Sequence, residues 1–380
     1  MHVVDTTVFY SPTSGGVKRY LAAKHAWLEQ HPGWRHSLLV PGERTELHPN
    51  AVSTVRGYRL PGTFNYRLAW APRVWAKLLD ALAPDVIEAG DAFHPAWAAL
   101  RVARRRNIPL AAFFHSNLPQ IIGRRLGSMS ERVITRYVRG LYSRFDLVFA
   151  PSQYMCGYLE SIGVRSAVHQ PLGVDTEIFA PTRAGIPIRT KLGLRPQTRV
   201  LAFAGRFSAE KNLPVLRRAL QLLGPRYHLL LIGGAKARRD GNITVLPYRR
   251  DPRELAAWLA SADALVHAGT RETFGLVILE AMACGRPVIA ANAGAAPELV
   301  DERVGALARP CDAQDLARAI VCVYERGVDA LGMAARARVL ESFCWSRCFE
   351  LQQSHYLSLA GLHHAHAAPA RRGTQPLISS

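Results

Sequence analysis

Glu272 and Glu280 stand eight residues apart in Glu-Thr-Phe-Gly-Leu-Val-Ile-Leu-Glu, followed by Ala-Met-Ala-Cys-Gly-Arg-Pro-Val-Ile-Ala. Carboxylates accept hydrogen bonds from hydroxyls, so such a pair suits a ligand with two hydroxylated rings, a hexose on one acid and a ribose on the other. The glycine between them predicts a turn, with Glu272 in a loop and Glu280 about one turn inside a helix. The amides of Phe274, Gly275 and Leu276 at that helix start would face a diphosphate, and Gly275 has no side chain to keep the phosphate away. Spacing alone reads more simply as a buried acid with a structural partner at Glu280 and a first-turn charge at Glu272. The Phe-Gly-Leu between them and the apolar run after them shift the balance to a ligand site.

Three other segments carry chemistry. Gly205-Arg206-Phe-Ser-Ala-Glu-Lys211-Asn sets two cations at a helix start. Cations there oppose the helix dipole, so an anionic ligand accounts for them better than an empty surface does. Gly15 and Gly16, in Ser-Gly-Gly-Val-Lys-Arg, follow a strand and open a helix; alone, the pair reads equally as a plain turn. It is not the Gly-x-Gly-x-x-Gly of a nicotinamide site. His115 ends the apolar run Leu-Ala-Ala-Phe-Phe, where a histidine with an ordinary structural partner is the alternative.

These segments need elements to hold them. Short apolar runs alternate with amphipathic stretches, which predicts an α/β chain with parallel sheets. In the first half the expected strands are 2–9, 37–40, 86–88, 110–114 and 147–150, with helices over 17–30, 67–83 and 131–143. After a stretch dotted with proline and glycine (180–196) the pattern restarts, with strands over 199–204, 227–232, 243–246, 264–267 and 287–290 and a helix over 312–325. The expected organisation is two doubly wound domains, 1–172 and 173–342, facing one another across a cleft. A closing helix over 343–360 and a disordered tail over 361–380 complete it. In such a pair ligands bind at the carboxyl ends of the strands.

Composition narrows the partners. The chain has 380 residues, 49% of them hydrophobic, and a mean hydropathy near zero, enough for two ordinary cores. No apolar run approaches the roughly 18 residues that span a bilayer, and the N-terminus lacks the layout of a secretion signal. Six scattered cysteines form no Cys-x-x-Cys pair and read as reduced thiols of a cytoplasmic protein. The net charge of +19 implies an anionic partner. Between Arg101 and Arg144 there are ten arginines against one acid, Glu131. On a helical wheel Arg125, Arg132, Arg136 and Arg139 share one face, with Val133, Ile134, Tyr137, Val138 and Leu141 opposite. A helix with a solvated basic face explains that pattern; the sharper expectation is an anionic membrane surface that brings a lipid-linked acceptor to the cleft. A nucleic-acid-binding protein would also be basic, yet no aromatic-interleaved basic stripe appears and the two glutamates would have no task, so no nucleic acid is expected.

Together the segments resemble the retaining glycosyltransferases of the GT-B fold, family 4, from Val3 to about Tyr356. The stretch from Glu272 resembles that family's donor signature, and Gly205-Arg206…Lys211 its element in which arginine and lysine grip the diphosphate. Gly15-Gly16 resembles its N-terminal glycine loop. The resemblance implies two facing Rossmann-like domains, a nucleotide-sugar donor (GDP-mannose or a UDP-hexose), and a glycan or lipid-linked acceptor. It implies that His115 touches the donor sugar and that the loop at Pro247-Tyr248 brackets the nucleobase. His115, Arg206, Lys211 and Glu272 are then the expected catalytic set. The chain has no Asp-x-Asp, the metal–diphosphate element of the other major glycosyltransferase fold, and no evident cluster of metal ligands. Helix amides with Arg206 and Lys211 can replace a divalent cation, so metal-independent catalysis without a cofactor is expected. A nucleotide-sugar epimerase or a phosphorylase could share the architecture; the motif set favours the transferase.

Overall fold

The computed structural model describes residues 1–10, 15–59 and 66–367. In chain order the first strands are β1 (His2–Thr6), β2 (Arg35–Gly42), β3 (Val52–Arg56), the two-residue pair β4 (Tyr58–Arg59) and β5 (Arg67–Leu68), β6 (Val86–Ala89), β7 (Leu110–Phe113), β8 (Leu147–Ala150) and β9 (Ala167–His169). They are followed by β10 (Arg199–Ala204), β11 (Tyr227–Gly234), β12 (Arg238–Asp240), β13 (Ile243–Pro247), β14 (Ala264–His267), β15 (Val288–Ala291) and β16 (Gly305–Ala308). Two sheets of seven strands result, ordered β3-β2-β1-β6-β7-β8-β9 and β12-β13-β11-β10-β14-β15-β16. All their pairings are parallel except β12 with β13. Each sheet reverses its winding once, between β1 and β6 and between β10 and β14. Such reversals splay the loops apart and open a crevice at the carboxyl ends. The fold is GT-B: two Rossmann-like domains.

The central strands are the ones that sequence makes legible, because a strand covered on both faces reads as an unbroken apolar run. The strands at or near the sheet edges, β3, β9, β12 and β16, have mixed or small residues and were not expected. The helix expected over 67–83 is shorter, Pro72–Ala81: Arg67 and Leu68 pair with Tyr58 and Arg59 instead, and Pro72 stands at the helix start.

The helix Trp345–Ala367 corrects the expected disordered tail, since it continues through 361–367; residues 368–380 lie outside the described residues. It starts beside the second domain, where Val174 N–H donates to Phe343 O (2.8 Å), and runs back over the first. There Tyr356 and Gln352 enter a buried polar cluster. Lys24 Nζ lies 2.8 Å from Asp5 and 3.2 Å from Glu88, and donates to the Tyr356 hydroxyl at 2.7 Å. Glu88 accepts from the hydroxyls of Tyr356 and Tyr20 and from Gln352 Nε2, while His36 Nε2 is 2.7 Å from Asp5. One apolar core therefore includes Val3, Tyr20, Phe113, Phe349 and Tyr356 with Val200, Ile278 and Leu279 of the second domain.

Burial pushes the Glu88 carboxyl up to about 7, against the pull of Lys24. Its protonation therefore favours the folded state. That stabilisation is complete below the ordinary carboxylate range and is lost as the pH rises through about 7. Glu88→Gln should flatten the decline in melting temperature between about pH 5 and 8. An unchanged slope would mean that Glu88 is ionised throughout.

Candidate functional site

Two helices begin at the cleft, one from each domain, and neither start is capped by a side chain. Gly16–Glu29 follows β1 and begins at Gly15; Leu276–Ala283 follows β14 and begins at Gly275, whose φ of +100° is left-handed. A Cβ on Gly16 would lie 2.9 Å from Leu276 Cδ1, so the two starts are in contact. Their free amides and dipoles make one electropositive spot suited to an anion. Ser14, the first residue of the glycine-loop segment, lies outside the described residues.

The two glutamates sit as expected, Glu272 in the loop and Glu280 about a turn inside the helix, but each already has a basic partner. Lys211 forms an ion pair with Glu272, whose carboxylate is also 3.1 Å from His267 Nε2. Burial alone would raise the Glu272 carboxyl; His267 and Lys211 instead hold it well below the usual carboxylate range. The turn carrying Lys211 is tied down by Asn212 Nδ2, which donates to Ala268 O (3.0 Å) beside the end of β14. Arg206 is exposed and follows Gly205 at the end of β10. Gly233, at φ +139°, lets β11 pass that turn, because a Cβ there would lie 1.9 Å from Gly205 O.

Glu280 is 3% exposed and forms an ion pair with Arg19 of the opposite domain at 2.6 Å. Burial raises its carboxyl, and Arg19 opposes the shift. Arg19 has no expected role in the sequence motif Ser-Gly-Gly-Val-Lys-Arg. Its place one turn after the glycine pair was the available signal, since that spacing returns to the same helix face.

His115 directly follows β7 and the next residue. Its ring stacks on Phe113 (4.1 Å between centroids, 5° between planes) and meets Tyr20 edge-on at 5.1 Å. Nε2 is buried with no hydrogen-bond partner among the described residues, and burial pushes the imidazole down to about 3, so it is neutral near pH 7. Its carbonyl accepts from Thr273 Oγ1 (3.5 Å), the neighbour of Glu272, which sets His115 opposite the donor-signature loop. Pro247 ends β13; Tyr248 is half-exposed, with its hydroxyl 4.0 Å from where a Cβ on Gly15 would stand. Phe274 is buried against Phe343 (6.3 Å). Among the described residues no group of three or more His, Cys, Asp or Glu is placed to hold a metal ion.

The basic face differs from the single wheel expected. Arg125 belongs to the helix Leu118–Leu126, and Gly127, at φ +89°, breaks the chain before the helix Ser128–Tyr142 that carries Arg132, Arg136 and Arg139. The apolar side is also split. Val138 and Leu141 are buried, whereas Leu126, Met129 and Val133 are 70%, 67% and 55% exposed. Arg132, Arg136 and Arg139 line a cavity of about 620 Å³ with Glu131, Thr135 and Tyr158.

Comparison with known proteins gives the chain its relatives. The model described as "Glycosyltransferase Family 4" matches residues 14–178, and that described as "Glycosyl transferases group 1" matches residues 198–326. The chain belongs to the family 4 glycosyltransferases. It is 29% identical over 367 residues to the GDP-mannose-dependent alpha-(1-6)-phosphatidylinositol dimannoside mannosyltransferase of Mycobacterium tuberculosis, covering 91% of this chain and 93% of that one. It is also 29% identical to the sulfoquinovosyl transferase SQD2 of Arabidopsis thaliana, over 73% of this chain and 57% of that one. Among solved structures, sucrose-phosphate synthase from Thermosynechococcus elongatus superposes with a TM-score of 0.75 at 21% identity, covering 95% and 99% of the two chains. That likeness concerns the fold. In this glycosyltransferase the segments around Lys211 and Glu280 are held by cross-links between the domains. Besides Arg19 with Glu280, these include Arg124 with Glu210, and Glu298 accepting from the amides of Gln153 and Tyr154 (2.8 and 2.7 Å).

Gly16→Val should force the two helix starts apart, at a cost of about 1–3 kcal/mol for the overpacked contact. Small-angle scattering should then show a larger radius of gyration with unchanged far-UV circular dichroism. An unchanged radius would show that the contact does not set the closed arrangement.

Proposed function

We propose that this glycosyltransferase moves a hexose from a nucleotide sugar to a hydroxyl of a lipid-linked or glycolipid acceptor, with retention at the anomeric carbon and without a metal ion. The observation that carries the reading is the meeting of two uncapped helix starts, the second preceded by the loop in which Glu272 holds Lys211. A diphosphate there would be held by amides from both domains, and Lys211 and Arg206 would neutralise charge as it leaves. GDP-mannose is the first donor to test, because the relative from Mycobacterium tuberculosis is by name GDP-mannose-dependent. That relative's name also puts a phosphatidylinositol mannoside foremost among acceptor classes.

In this reading the bond from the anomeric carbon to the diphosphate oxygen breaks as the acceptor oxygen bonds to the same carbon from the same face. The acceptor's proton passes to the departing phosphate oxygen. No protein nucleophile is needed. Glu272 and Glu280 orient hexose and ribose, neutral His115 offers Nε2 to a sugar hydroxyl, and the Pro247-Tyr248 loop brackets the base. The exposed row Leu126, Met129 and Val133 beside Arg125, Arg132, Arg136 and Arg139 suits an anionic membrane face, since apolar insertion and charge attraction act together there. Among the described residues no helix is long and apolar enough to cross a membrane, so the proposed attachment is peripheral, on the cytoplasmic side.

Melting temperatures with GDP, UDP, GDP-mannose and UDP-glucose, all in EDTA, test the donor site. One base should stabilise the chain preferentially, and Arg206→Ala/Lys211→Ala should abolish the shift and lower turnover by about 10²–10³-fold. Folded protein that responds to no nucleotide would overturn the reading. Arg19 adds a finer test. If the ribose takes Glu280, it competes with Arg19, and Arg19→Ala should bind the preferred nucleoside diphosphate about tenfold more tightly, or about 1.4 kcal/mol. An unchanged Kd would place Glu280 outside the donor site.

A further inference from the structure

The cavity of about 620 Å³ on the first domain is lined from two helices, Ser128–Tyr142 and Gln153–Ser161. Arg132, Arg136 and Arg139 follow one another at steps of four and three residues, so one face of the first helix brings all three to it. Among the described residues none of their guanidinium groups pairs with a carboxylate or donates a side-chain hydrogen bond, although Glu131 lines the same cavity. Like charges one turn apart oppose helix formation, a cost that an anion among them would relieve. The stem of Arg139 lies against the turn after the second helix, with Cδ 3.2 Å from where a Cβ on Gly163 would stand.

The wall is divided by chemistry. Guanidinium groups only donate, whereas the Glu131 carboxylate only accepts. Thr135 and Ser161 side with the acid: Thr135 Oγ1 donates to Glu131 O (2.7 Å) and Ser161 Oγ to Tyr158 O (2.7 Å), so each hydroxyl spends its proton within its own helix and keeps an acceptor oxygen. None of the residues given a donor role lines the cavity. The second helix begins at the domain boundary, where Gln153 and Tyr154 donate to Glu298. Ser161 closes its other end, about 12 Å along the axis.

We propose that this cavity is a second ligand site, separate from the cleft, for the phosphomonoester of a polyol. The phosphate lies among Arg132, Arg136 and Arg139, and the polyol hydroxyls donate to Glu131, Thr135 and Ser161. A phosphomonoester carries about −1.5 to −2 near pH 7 and offers three acceptor oxygens, one for each guanidinium. A carboxylate has one charge and two oxygens, and a bare polyanion gives the acceptor side of the wall nothing to accept. The volume suits a phosphorylated ring. A soluble sugar phosphate and the headgroup of a phosphorylated lipid share this chemistry. The site does not depend on the transferase function, and it gives the basic face a specific ligand in place of a general attraction to anionic lipid.

Two measurements on the full chain test the site. Isothermal titration calorimetry with glucose 6-phosphate, and with glucose as control, is run with and without GDP and UDP. Vesicle sedimentation compares phosphatidylinositol 4-phosphate with phosphatidylglycerol at equal total charge. Binding of glucose 6-phosphate that persists with nucleotide would assign a soluble ligand, and a preference of about tenfold for the phosphoinositide vesicles would assign a lipid headgroup. In either case Arg136→Lys, which keeps the charge but loses the planar fork, should weaken the binding about tenfold, its melting transition without ligand showing that it is folded. Arg136→Lys that binds like the wild type would overturn the site, as would binding of the sugar phosphate that nucleotide abolishes. Equal binding to the two vesicle types with no binding of glucose 6-phosphate would also overturn it, and would leave the general membrane attraction of the basic face standing.

Discussion

Lys24 is a cation held away from water between two carboxylates, Asp5 and Glu88, and the relation between the two domains depends on it. Three ionisable groups are tolerable out of water only because each has a partner and the remaining lone pairs are filled by Tyr20, Gln352, Tyr356 and His36. Gln352 and Tyr356 come from the last helix, which begins beside the second domain. The cluster therefore fastens the end of the chain to its first sheet. Apolar packing of that helix would hold it about as well, but a polar cluster accepts one register only: a shift by one residue would leave buried donors and acceptors without partners. The cleft receives its width and alignment from this fixed seat.

The cleft itself is wired by the same rule at smaller cost. Glu272 is paired with Lys211, Glu280 with Arg19, and Glu210 with Arg124, the last two across the domain boundary. A carboxylate in a closed site must either have a counter-charge or take up a proton. These pairs keep the acids ionised and oriented when no ligand is present. In the proposed reading an entering diphosphate would compete with Glu272 for Lys211, while a ribose hydroxyl would compete with Arg19 for Glu280. Exchange of partners would pass each side chain from one polar partner to another, so that none stands bare of both water and a partner. It also makes the closing of the domains depend on which partner each side chain holds, because Arg19 and Arg124 belong to one domain and their acids to the other.

Sequence made the middle of each sheet and the donor-side motifs legible, for a common reason. Strands buried on both faces are continuous apolar runs, and motif residues lie at strand ends where the topology must bring them together. Glu272 in its loop, Glu280 inside its helix and the glycine pair opening a helix are all local consequences of turn and helix chemistry. What escaped is non-local. Nothing near Lys24 in sequence shows that it is buried, since its partners lie at positions 5, 88 and 356. Arg19 was visible, but its contact with Glu280 spans most of the chain. The edge strand β16, Gly-Ala-Leu-Ala, carries too little side chain to announce itself. The wheel drawn through Arg125 failed because Gly127 reverses the backbone between two helices. Val133 was expected on a packed face, but it is exposed between the contacts made by Ile134, Val138 and Leu141.

The surplus of positive charge follows from where cations lack partners. At the cleft Lys211, Arg19 and Arg124 each face an acid, although the chain carries +19. On the helices around Gly127 the balance is different: among the described residues none of Arg125, Arg132, Arg136 and Arg139 pairs with a carboxylate, and Leu126, Met129 and Val133 stand out beside them. A charge excess confined to the diphosphate site would speed donor capture and nothing more. Placed here, away from the paired residues, it would serve the peripheral attachment proposed above, drawing the first domain toward an anionic surface with an apolar interior over about 10 Å at 0.1 M ionic strength. Exposed apolar residues alone would favour self-association, and arginines alone would favour any polyanion. Their combination on one helix pair discriminates among anions by demanding an apolar layer behind the charge.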